Sequence, residues 1–66
     1  WSGAMNKQHL FDEMIREIWS NAAVRQYLRT YYIPHGLPIH DWISSSSEKE
    51  VIRWVAAALS ELYPNG

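Results

Sequence analysis

The stretch "HGLPIHDW", residues 35 to 42, holds two histidines, an aspartate and a tryptophan. Imidazole and carboxylate groups are ordinary zinc ligands, and three of them with a water make an open catalytic site. His35, His40 and Asp41, with His9 from earlier in the chain, are therefore the candidates for metal chemistry. Their spacing argues against that use. It is neither the i, i+4 pair of a helical site nor a zinc-binding loop, and spacing is what makes such motifs specific. They read as polar residues beside a turn and at a helix start, and no metal or other cofactor is expected.

Serines 44 to 47 follow directly, near His40 and Asp41 in sequence. A serine nucleophile needs a positioned base and oxyanion donors inside a pocket. Here Ser47 stands three residues before Glu50, a capping box in which the two residues satisfy each other's orphan amides at a helix start. Amides committed to that motif are not available to an oxyanion. No catalytic residue is assigned, and the chain is read as a non-enzyme. Ser45 and Ser47 each precede a glutamate by three residues, an acidic setting that some kinases favour.

A nucleic-acid reading rests on Arg25, Arg29 and Tyr32, a small basic and aromatic strip. Small helical domains with tight turns include the helix-turn-helix modules, which insert a recognition helix among phosphates and base edges. Against this stand a net charge of −1 and the absence of a basic footprint. Glu48-Lys49-Glu50 would also meet phosphate at the start of the last helix. A helix-turn-helix-like nucleic-acid-binding domain is kept as the alternative.

Aromatic residues carry most of the functional signal. Four Trp, four Tyr and one Phe make 14% of the 66 residues, more than a core of this size readily takes in. At about 100° per residue, Trp54 falls away from the Val51–Val55–Leu62 centre of its helix, beside Glu50, Ala57 and Glu61. Trp19 lies at the edge of its own stripe. Large aromatics next to small residues are what protein interfaces use as anchors. Trp54, Ala57 and Glu61 form the expected partner-binding edge, with Trp19 as the second candidate. The partner is expected to be a protein or a second copy of the chain, and Trp54→Ala is expected to affect association more than folding.

These residues need helices to position them. Leu10, Phe11, Met14, Ile15, Ile18 and Trp19 follow an i, i+3, i+4 rhythm, which predicts an amphipathic helix with Asn6 as its N-cap. Ser20 or Asn21 caps a second helix to about Tyr32, with a stripe of Val24, Tyr27, Leu28, Tyr31 and Tyr32. The two stripes are out of phase across Ser20–Asn21, so two helices meeting at a corner are expected. Pro34 stops the second helix, and Gly36 allows the chain to reverse. Pro38 opens a short helix to about Ser44, with Ile39, Trp42 and Ile43 on one side. The last helix runs from about Glu48 to Tyr63, where Pro64 ends it. Its face of Val51, Ile52, Val55, Leu59 and Leu62, widened by Ala56, Ala58 and Tyr63, is apolar enough to be covered on more than one side.

The expected fold is all-α, a small compact three- to four-helix domain with the last helix central. Residues 6–66 form the single domain, and residues 1–5, "WSGAM", read as a flexible leader or expression remnant. A composition of 47% apolar and 20% charged residues is that of a folded globule. With no cysteine, neither disulfides nor thiolate zinc sites can staple it, and a cytoplasmic or other intracellular setting is compatible with that. No apolar run approaches the roughly 20 residues of a membrane span. The function expected is a non-catalytic protein–protein interaction module: an adaptor, docking or self-association domain.

Overall fold

The computed structural model describes residues 7–65. They form four helices and no strand: α1 (Lys7–Ser20), α2 (Ala22–Tyr31), α3 (Ile39–Ser45) and α4 (Glu48–Leu62). Asn6 and the leader assigned to residues 1–5 lie outside the described residues.

The α1–α2 corner is built by Asn21. Its backbone leaves the helical region at φ −124°, and its side-chain oxygen accepts from the Ala23 and Val24 amides. This satisfies two of the orphan donors that open any helix. On the other side of the corner, one guanidinium nitrogen of Arg25 donates to the Ile18 and Trp19 carbonyls at 2.9 and 2.7 Å. The end of α1 and the start of α2 are thus tied by side chains from the corner itself. Asn21 Nδ2 also donates to Glu17 Oε1 and to the Tyr63 hydroxyl, both at 3.1 Å, joining the corner to the end of α4.

After α2 the Ile33 amide donates back to the Leu28 carbonyl, and Leu37 N–H closes a turn onto the Pro34 carbonyl at 3.0 Å. Gly36 sits third in that turn at φ +86°, the position where a type II turn needs the left-handed region. Nothing lies within 4 Å of where its Cβ would be, so backbone conformation alone calls for glycine there. Pro38 precedes α3 as its N-cap rather than as its first residue. Its ψ of 144° is extended, and its carbonyl accepts the first helical bond, from Trp42 N–H.

Between α3 and α4 the expected capping box is present. Glu50 N–H donates to Ser47 Oγ at 3.1 Å, and Ser47 N–H donates to Glu50 Oε1 at 3.2 Å. Glu48 and Glu50 lie in the first turn of α4, against the positive end of its dipole.

Packing places α4 against both α1 and α2, which also touch each other. The core is Ile18, Val24, Leu28, Ile33, Ile39, Trp42, Val51, Val55 and Ala58. From α4 it takes Val51, Val55 and Ala58, at i, i+4 and i+7, whereas Ala56 is exposed and Tyr63 is 48% exposed. The buried face is thus narrower than the sequence suggests.

Candidate interaction surfaces

Trp54 is half-buried and stacks against two other rings. Its ring centroid is 5.1 Å from that of Trp42 and 5.7 Å from that of Tyr32, with interplanar angles of 27° and 29°. The row continues from Tyr32 to Tyr27 at 6.2 Å and from Tyr27 to Tyr31 at 4.5 Å. These separations lie in the range where aromatic pairs attract beyond simple burial. Five rings from α2 and its C-cap, α3 and α4 therefore run from Trp42, which is 4% exposed, to Tyr31, which is 67% exposed.

The edge Trp54–Ala57–Glu61 borders this row. Ala57 is half-buried and Glu61 exposed. The Tyr27 hydroxyl titrates above its ordinary value, first because partial burial strips water from it and then because the Glu61 carboxylate opposes a second negative charge. Neighbouring Tyr32 and Tyr31 add to the same shift. Much of what the helical wheel turns away from the α4 core is thus met by the tyrosines of α2.

Trp19 has a different setting. It is 51% exposed and stands in the wall of a groove between α1 and α3. The groove is lined by Phe11, Asp12, Ile15 and Trp19 from α1 and by His40, Ile43 and Ser44 from α3. Phe11, Ile15 and Trp19 are spaced i, i+4, i+8, one ridge along the helix surface. Phe11, Ile15 and Ile43 pack their inner sides on the core and keep their outer sides toward the groove. Asp12 and His40, both exposed, add polar groups to it.

Arg25, Arg29 and Tyr32 have three separate environments. Arg25 is engaged with the α1 carbonyls, Tyr32 belongs to the aromatic row, and Arg29 is exposed. His35 is exposed in the turn before α3. His40 Nδ1 lies 3.8 Å from Asp41 Oδ1, with both side chains largely in water. Among the described residues no three His, Asp or Glu side chains converge as a metal site would require.

The serine run serves the helix ends. Ser44 Oγ donates to the His40 carbonyl, while Ser45 and Ser46 both donate to the Trp42 carbonyl, at 3.2 and 2.7 Å. Ser47 Oγ is held in the capping box and also donates to Glu50 Oε1. The partners of all four hydroxyls are thus backbone carbonyls or a glutamate of the helix ends they serve. No polar or charged residue is buried among those described, and no helix among them is long and apolar enough to cross a membrane.

Neither the groove nor the aromatic row follows from the sequence pattern. The i, i+4, i+8 spacing of Phe11, Ile15 and Trp19 signals a ridge, but the wall opposite comes from α3. The contact between Trp42 and Trp54 depends on how α3 and α4 are angled at Ser46–Ser47. Compared with protein-family models, curated proteins and solved structures, the chain has no match.

Proposed function

We propose that this domain is a non-catalytic protein–protein interaction module, of the adaptor, docking or self-association kind, and that Trp19 anchors its contact. The observation that carries this reading is the half-exposed Trp19 indole beside an apolar groove. Tryptophan is the residue most enriched among interface anchors, and such anchors sit next to hollows that a partner can fill. Trp54, Ala57 and Glu61 contribute less to a contact, because the Trp54 ring already has two stacking partners within the domain. Nucleic-acid binding is the poorer reading, since one guanidinium nitrogen of Arg25 is already held by the protein's own carbonyls.

Affinity capture with chemical crosslinking tests the proposal, using the wild type, Trp19→Ala and Arg29→Ala, each confirmed helical by circular dichroism. Protein capture retained by Arg29→Ala and lost by Trp19→Ala is the expected result. Capture indifferent to Trp19 would overturn the assignment. Recovery of nucleic acid that falls steeply with added salt and with Arg29→Ala would restore the alternative.

A further inference from the structure

We propose that the α1–α3 face pairs two copies of this chain about a two-fold axis, the Trp19 indole of each copy seating over Phe11, Ile15 and Ile43 of the other. The inference rests on the interaction reading above and names its partner. A two-fold contact is isologous: one patch must meet itself, so every protruding group needs its receptor on the same patch. The α1–α3 face has both. Trp19 is the protrusion, and the apolar groove beside it is the receptor.

The polar groups of the groove are matched in the same way. Asp12 comes from α1 and His40 from α3. An antiparallel approach of two such faces sets the carboxylate of each copy against the imidazole of the other, twice over.

The size of the core gives a further reason. Nine of the described residues form it, and the chain has no cysteine. Domains near this lower size limit commonly gain stability from a disulfide, a metal or oligomerisation. Pairing two copies is a route to added burial that this surface can serve. Burying the outer sides of Phe11, Ile15 and Ile43 would enlarge a core that now ends at them.

Sedimentation equilibrium from millimolar to low-micromolar concentration is the test. The wild type should show a reversible monomer–dimer equilibrium. Trp19→Ala should remain helical and dissociate roughly 30-fold or more readily, as loss of an interface anchor does. His40→Asp should weaken the dimer by setting two carboxylates together, and Asp12→Lys added to His40→Asp should restore it. A dimer indifferent to Trp19→Ala and to the charge exchange would overturn the proposal, as would a monomer at millimolar concentration. In the monomeric case, capture of another protein that still depends on Trp19 would leave the interaction reading standing with a different occupant. A monomer whose capture is also indifferent to Trp19 would remove both.

Discussion

The aromatic row and the α1–α3 groove contain similar residues in opposite states. In the row, Trp54 is stacked with both Trp42 and Tyr32. In the groove, Trp19 has half its surface in water and no ring contact with another aromatic among the described residues. Each tryptophan sits at the edge of the apolar stripe of its helix. What separates them is the neighbour across the gap. The α2 and α3 helices bring rings to Trp54, while α3 brings Ile43, Ser44 and His40 to the groove of Trp19. Edge position on a helix therefore leaves a residue available, and the next helix decides whether another ring of the protein covers it.

Substitutions can break this contrast at several depths. Trp42→Ala removes the buried end of the row and should have the largest effect, about 3–5 kcal/mol, enough to unfold a domain of this size. Circular dichroism during urea titration would show it, and a cooperative transition near the wild-type midpoint would mean that the row carries little stability. Trp54→Ala loses two stacked neighbours, each pair worth about 0.5–1.5 kcal/mol beyond burial. We expect a loss of about 2 kcal/mol in the same assay, more than the wheel position of Trp54 suggests. A loss too small to measure would return Trp54 to the role of a surface anchor.

Ser47→Ala should cost about 1 kcal/mol, the usual result of losing an N-cap. The same change loosens the junction that sets Trp54 against Trp42, so near-ultraviolet circular dichroism should weaken with stability. An unchanged urea midpoint would show that α4 keeps its start without the box. Trp19→Ala should change stability by no more than about 0.5 kcal/mol at dilute concentration, as surface substitutions do. A loss comparable to that of Trp54→Ala would erase the contrast between the two regions.

The smallest effect belongs to alkaline solution. The folded protein holds the Tyr27 proton more tightly than the ordinary value of 10.0. That contribution is fully present below the ordinary value and is lost as pH rises through the folded one. Stability should therefore decline on the alkaline side, and Glu61→Gln should reduce the decline by removing one of the charges that resist tyrosinate. Phenolate absorbance with Tyr27→Phe as reference would follow it. Identical titrations of wild type and Glu61→Gln would separate Glu61 from the row.

Much of the architecture is legible in the sequence because it is set by contacts within a few residues. Asn21 opens α2 because its side chain reaches amides two and three positions ahead. Ser47 and Glu50 close a box over three residues. Pro34, Gly36 and Pro38 restrict or free the backbone at their own positions, and the helix ends beside them, Tyr31 and Ile39, fall within one residue of expectation, as do Ser45 and Leu62. The all-α class and the central place of α4 follow from the apolar spacing. The candidate surface is less legible, because a helical wheel orders residues around one axis and says nothing of what stands opposite. One face of the Trp54 ring is covered by Tyr32, far away in the chain, and the Trp19 groove needs Ile43 from another helix. Local hydrogen bonding and steric limits on the backbone thus determined the elements from the sequence alone. Which aromatic rings are shared among helices, and which are left facing water, was decided only when the helices packed, because stacking and burial depend on distances between residues far apart in the chain.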